Sequence, residues 1–183
     1  MNYYEKTLNI QSVYQGSIIN VERLTVELPN GRTAPRDVVR NPGASAIVPI
    51  TEDGKIILVE QFRKPIEKVS IEIPAGKLDK GEDPDHCARR ELKEETGYTA
   101  KNIKKILSIN PVPAYADEVI HIYLATGLTS GESNPDEDEF ISAKAYGLDE
   151  IISMIENGTI TDSKTVAGVL FAARLLSKDS IEK

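Results

Sequence analysis

At 183 residues, with 40% hydrophobic and 28% charged content, the chain carries enough apolar material for one sizeable core and reads as folded and globular rather than disordered. Its 22 basic and 29 acidic residues leave a net charge of −7, which disfavours sequence-independent binding to nucleic acid or to an anionic membrane. The start, Met1-Asn2-Tyr3-Tyr4-Glu5-Lys6, lacks the basic-then-apolar order of a signal peptide, and no run of about 18 apolar residues could span a bilayer. The lone Cys87 excludes an internal disulfide and a cysteine zinc cage, so a cytoplasmic location is expected.

The first segment reads as extended, with Val21, Leu24, Val26 and Leu28 leading to Asn30-Gly31, a dipeptide suited to a tight hairpin. This predicts a small N-terminal antiparallel sheet over residues 1–43, ahead of a main domain over 44–183. From Ala46 the pattern turns to apolar runs, Ala46–Ile50 and Ile56–Val59, which the turn formers Glu52-Asp53-Gly54 mark as paired core strands. A helix is expected between Asp83-Pro84, an N-cap and first-turn pair, and Gly97, a C-terminal stop. Strands follow at Lys104–Ser108 and Val119–Thr126, then a polar loop over Gly127–Glu139 and a strand over Phe140–Tyr146. The last two helices are expected at Leu148–Glu156, stopping at Asn157-Gly158, and from Asp162 or Ser163 onward. The second of these would bury Val166, Val169, Leu170 and Ala173 on one face. Strands and helices mix without strict βαβ alternation, which predicts an α+β fold with helices packed on sheets.

The chemistry concentrates in Gly76–Tyr98. On an α-helix, residues three and four apart share a face, so Glu91, Glu94 and Glu95 converge on one side while Ala88 and Leu92 form an apolar stripe beside them. Three like charges so placed call for a cation, and an oxygen-only donor set favours hard ions such as Mg²⁺ or Mn²⁺. Magnesium bridges carboxylates to substrate phosphates, which suits cleavage of a pyrophosphate by water. A solvated helix face laced by Arg90–Glu94 pairing is the alternative use of the same residues.

The wider spacing resembles the Nudix box, Gly-x5-Glu-x7-Arg-Glu-aliphatic-x-Glu-Glu-x-Gly-aliphatic. It is matched at Gly76, Glu82, Arg90, Glu91, Leu92, Glu94, Glu95 and Gly97, with Tyr98 in place of the final aliphatic residue. The resemblance implies a Nudix-type α/β/α sandwich with a mixed sheet. It further implies Glu91 and Glu95 as principal metal ligands, Glu94 as a further one, and the backbone carbonyl near Ala75 contributing. Glu82 would assist through water, and Arg90 would orient the carboxylates. The implied cofactor is Mg²⁺, with Mn²⁺ as a substitute.

Residues outside the box resemble the ADP-ribose pyrophosphatase branch of that family. Pro113, fifteen residues beyond Tyr98, sits at the branch's proline, although Val112-Pro113-Ala114 replaces the frequent Ser-Pro-Gly. Glu60-Gln61-Phe62-Arg63 is similar to the stretch whose arginine contacts the substrate phosphates, a task that a guanidinium's fork of donors suits. Arg36 lies near a second substrate-contacting arginine, and Glu118 resembles a substrate-ribose contact. The acidic loop at Asp136-Glu137-Asp138-Glu139 is similar to the loop that carries the general base, which points to Glu137, with Glu139 as helper or substitute.

These likenesses imply hydrolysis of ADP-ribose to AMP and ribose 5-phosphate. Other ADP-sugars, NADH and dinucleoside polyphosphates are alternatives that would use the same box, and a non-catalytic ADP-ribose sensor is an alternative of another class. Members of the branch are homodimers through their N-terminal sheets, which implies a second copy as partner and places Arg36 at the neighbouring subunit's site. A sheet folded back on its own domain is equally compatible with the sequence. His86, His121 and Cys87 have no metal-spaced partners and read as structural.

Overall fold

The computed structural model describes residues 2–134 and 140–181. They divide into two compact units, one made of the stretch up to Gly43 with Asn110–Val119, the other of Ala44–Ile109 with Ile120 onward.

The first unit is built on three antiparallel strands in the order β1 (Lys6–Gln15), β2 (Asn20–Glu27) and β3 (Thr33–Arg40). Asn30-Gly31 does turn the β2–β3 hairpin, but inside a three-residue loop, residues 29–31, closed by Leu28 N donating to Arg32 O at 2.7 Å, not as a two-residue turn. Pro29 holds the first loop position in the φ range of a type I turn, Leu28 O accepts from Gly31 N at 2.9 Å, and Gly31 alone takes positive φ (79°). The segment 110–119 is tied to β3. Val39 exchanges backbone bonds with Tyr115 and Asp117 (2.7 and 3.2 Å), and Asp117 accepts from Arg40 Nη1 at 3.1 Å and Asn41 N at 2.9 Å.

The second unit holds two sheets. One runs β7 (Ala75–Lys77), β4 (Ala44–Pro49), β9 (Ile120–Thr129), β8 (Thr99–Ile109), with β4 and β9 parallel and the other pairs antiparallel. The other runs β10 (Ser142–Tyr146), β5 (Ile56–Arg63), β6 (Lys68–Glu72), all antiparallel. The expected hairpin of the two apolar runs is therefore wrong. β4 and β5 belong to different sheets, and among the described residues their two runs share a single isolated backbone bridge, Ile50–Ile56, just beyond the end of β4. The Thr51–Lys55 turn, closed by Thr51 N to Lys55 O at 2.9 Å, steers the chain from one sheet to the other. Both runs are buried on two faces, so neither carries the alternation that would have fixed its partner.

That double burial positions the helices. Ile47 of β4 packs with Ala88 and Leu92 of α1 (Pro84–Thr96), Tyr123 and Ala125. Ala46 and Val48 of β4 and Leu58 of β5 belong instead to a larger cluster with Ile73, Ile122, Ile151, Val169 and Ala172. The helices α2 (Leu148–Glu156) and α3 (Ser163–Ile181) supply the remaining cover. Gly168 brings α3 close, since a Cβ there would stand 3.1–3.2 Å from Ile73, Ile122 and Val48. The buried face of α3 carries Thr165, Val169 and Ala172. Leu170, expected on that face, points outward at 46% exposure, because Gly168 rather than a large side chain lies at the point of closest approach.

The local signals of α1 act as read. Asp83 accepts from Asp85 N, Pro84 opens the first turn, and Gly97 (φ 75°) donates to Lys93 O at 2.8 Å. α2 matches its expected bounds, with positive-φ Gly158 beyond it. β8 and β9 run longer than expected, and β6 and β7 are additional. Among the described residues, no helix is long and apolar enough to cross a membrane.

The apolar side of α1 gives a direct test. Leu92→Ala should cost about 2–5 kcal/mol of unfolding free energy, the usual range for a fully buried leucine, as read from urea denaturation.

Candidate active site

α1 presents its carboxylates beside β7, and a glycine makes the approach possible. A Cβ on Gly76 would lie 1.8 Å from Glu91 Oε1, so only glycine leaves room for that carboxylate. Arg90 ties the acids together. Its Nε and Nη2 donate to the two oxygens of Glu82 (3.0 Å each), and its Nη1 donates to Glu91 Oε1 at 2.6 Å and Glu94 Oε2 at 2.9 Å. Nη2 also reaches Lys77 O at 3.3 Å. The Arg90 guanidinium is pushed above its ordinary pKa, chiefly by Glu82, and holds the Glu82 carboxyl down at about 2.

Glu95 takes another path, accepting from Ala75 N at 3.0 Å. Glu91 and Glu95 are both buried, whereas the Glu94 side chain stays 36% exposed. Four carboxylates (Glu82, Glu91, Glu94, Glu95) thus gather around one guanidinium and the Ala75 N–H. Among the described residues, no three acidic, histidine or cysteine side chains stand close enough to form a ready-made metal cage. The donor chemistry nevertheless fits a hard divalent cation, being all oxygen, net negative and shaped around Gly76.

A second polar group lies in the same unit, and the sequence reading missed it. Glu72 is 3% exposed, with both oxygens taken by Arg63 (Nε 2.9 Å, Nη2 2.7 Å) and one also by Lys164 Nζ at 2.5 Å. Burial pushes the Glu72 carboxyl up, but Arg63 and Lys164 outweigh it and hold it at about 2. Asp162 Oδ2 accepts from Lys164 Nζ, Thr165 N and Thr165 Oγ1, capping α3, and Thr165 Oγ1 accepts from Ile73 N at 2.8 Å. The available signal was an acid in an otherwise inward-facing position of β6, together with the Asp162-Ser163-Lys164-Thr165 start of α3.

Arg63 is thus paired with Glu72, and the charge of Glu95 acts on it as well. Arg36, Pro113 and Glu118 belong to the first unit. Arg36 pairs with Glu5 (2.6 and 3.0 Å), Pro113 is exposed, and Glu118 O accepts from Asn110 Nδ2 at 2.9 Å. Glu137 and Glu139 lie outside the described residues, but Asn134 N donates to Glu94 O at 3.0 Å, so the chain stands at the end of α1 one residue before that segment. Cys87 is buried, and burial followed by the charge of Glu82 raises its thiol to about 11, which keeps it protonated and unreactive.

This carboxylate set on a mixed-sheet α+β scaffold has the donor chemistry to hold a divalent cation. The NUDIX domain model matches residues 39–168, and the model of the nucleoside diphosphate sugar hydrolase N-terminal domain matches residues 5–39. The chain is 46% identical over 171 residues to a methanol dehydrogenase activator of Bacillus methanolicus, covering 92% of each chain. It is 43% identical over 169 residues to an ADP-ribose pyrophosphatase of Bacillus subtilis, covering 91% of each. A crystal structure of an ADP compounds hydrolase superposes with a TM-score of 0.86 at 23% identity, covering 98% of both chains. The chain belongs to the Nudix family.

Two outcomes follow for this site. Gly76→Ala should displace the flexible end of Glu91 while leaving the backbone in place, so turnover should fall by about 10–100-fold with little change in melting temperature. Because the Glu72 carboxyl is lowered from 4.5 to about 2, its stabilisation is fully present above pH 4.5 and lost as pH falls toward 2. Glu72→Gln should therefore lower stability at neutral pH and flatten the acid limb of a melting-temperature profile over that window.

Proposed function

We propose that the chain is a Mg²⁺-dependent ADP-ribose pyrophosphatase that releases AMP and ribose 5-phosphate. The observation that carries this reading is the net-negative carboxylate group around Gly76, with Arg63 within electrostatic reach of Glu95. The homologue of Bacillus subtilis supports the choice of ADP-ribose.

Glu91, Glu95 and Glu94, with the Ala75 carbonyl, would hold the cation, and Glu82 would assist through water. When bound, that cation supplies neutralisation of the diphosphate charge and eases loss of a proton from the attacking water. Arg90 keeps Glu82, Glu91 and Glu94 in register through its four carboxylate bonds. Arg63 offers guanidinium donors to the diphosphate, and Arg36, Pro113 and Glu118 are the further substrate contacts of this reading. Glu137 takes the proton of the water as it adds to phosphorus, and one P–O bond of the anhydride breaks to give the two products. Glu139 is the substitute for that role.

We further propose a cytoplasmic homodimer formed through residues 1–43. All ten residues of β1 are exposed, among them Leu8, Ile10, Val13 and Tyr14, and a second copy would cover them. Arg36 would then serve the neighbouring subunit. The relative named methanol dehydrogenase activator favours a second reading, action upon a dehydrogenase.

Purified protein with Mg²⁺ and a panel of ADP-ribose, other ADP-sugars, NADH and dinucleoside polyphosphates tests the first reading by AMP release. ADP-ribose should be turned over best, and no turnover of any member would overturn it. Glu95→Gln should lower kcat by about 100-fold or more with the fold intact, since it removes a ligating charge at nearly constant volume. Glu137→Gln should lower kcat with little change in KM, and an unchanged rate would move the base to Glu139. Light scattering should give twice the mass of one chain. Stimulation of a methanol dehydrogenase by the Glu95→Gln protein would favour the second reading.

A further inference from the structure

Arg63, Glu72, Lys164 and Asp162 form a line of alternating charge, and the proposed mechanism uses only the first of them. Lys164 is the unusual member. It is 7% exposed, and a buried ammonium is costly unless paired, so its two carboxylate partners are needed to keep it there.

Lys164 is also held from behind. Asp162 caps α3 through Thr165 N at 2.9 Å, and Thr165 Oγ1 takes the Ile73 N–H, which fixes the start of α3 against the chain next to Glu72. Glu72 is thereby restrained by a group 92 residues away in sequence. Its two oxygens bind Nε and Nη2 of Arg63 as a fork, which sets the plane of the guanidinium. Nη1 donates to no described residue, and the Arg63 side chain is 41% exposed. Arg63 lines a cavity of about 430 Å³ with Ser70, Asp162, Ser163 and Lys164.

We propose that Lys164 is a positioning residue for the reaction, fixing Glu72 so that Glu72 aims the outer edge of Arg63 at the diphosphate. This rests on the reading that Arg63 contacts the substrate diphosphate. Lys164 touches no reacting atom and acts only through Glu72. Without it, Glu72 keeps one cationic partner and can follow Arg63, so the guanidinium loses its fixed plane.

A double-mutant cycle tests this with the full chain, using Lys164→Met, Arg63→Ala and the two combined. Each is assayed for kcat/KM with Mg²⁺ and ADP-ribose, for the Kd of ADP-ribose in EDTA, and for melting temperature. Lys164→Met should lower kcat/KM and weaken binding by about tenfold when Arg63 is present, and by less than about twofold when it is absent. Lys164→Arg, which keeps the charge, should restore part of the loss. An equal loss in both backgrounds, or no loss in either, overturns the proposal. If Lys164→Met does not fold, Lys164→Gln, which keeps a neutral donor beside Glu72 and Asp162, takes its place in the same cycle with the same deciding outcomes. A fully active Arg63→Ala protein would instead overturn the reading of Arg63 itself, which separates that failure from a failure of Lys164.

Discussion

Repulsion among the carboxylates of α1 is the constraint around which the active site is arranged. At about 4 Å and an effective dielectric near 20, two unit charges interact by roughly 4 kcal/mol, so several acids on one helix face need compensation from the protein itself. Arg90 provides it for Glu82, Glu91 and Glu94, and the Ala75 N–H provides a weaker version for Glu95. Gly76 then removes the one Cβ that would push Glu91 away. The formal charge of the group is negative, with four carboxylates to one guanidinium, and its donors are all oxygen, the chemistry that a hard divalent cation prefers.

The Glu72 cluster follows the opposite plan. Two cations and two acids cancel, with the central carboxylate almost fully buried. A balanced cluster of this kind carries no net charge, so what it contributes through Arg63 is an oriented set of hydrogen-bond donors. The two clusters lie near each other along the chain, since Glu72 precedes Ala75 by three residues and Ala75 N–H holds Glu95. Strand β6 and the start of β7 thus carry the balanced group and the receptive one in immediate succession.

What could be read from the sequence was what local geometry decides. The cap at Asp83, the stop at Gly97 and the Ala88–Leu92 stripe depend on residues within a few positions of one another, as do the bounds of α2. Sheet membership was not legible. The runs of β4 and β5 are apolar on both faces, so a turn between them looked like a hairpin although it joins two sheets. The Lys164–Glu72 pair was hidden for a related reason, because its partners are 92 residues apart and each has an ordinary local role. Leu170 was misplaced because the closest approach of α3 is made by Gly168, a residue that a count of apolar side chains passes over.

Strand β1 has a consequence of another kind. It is the edge of its sheet, ten residues long, and among the described residues no strand pairs with its outer row of backbone N–H and C=O groups. A long edge with exposed Leu8, Ile10, Val13 and Tyr14 invites pairing with other chains, wanted or not. If a second copy covered it, polar backbone and apolar side chains would leave water together, and the measured stability of this chain would then depend on its concentration.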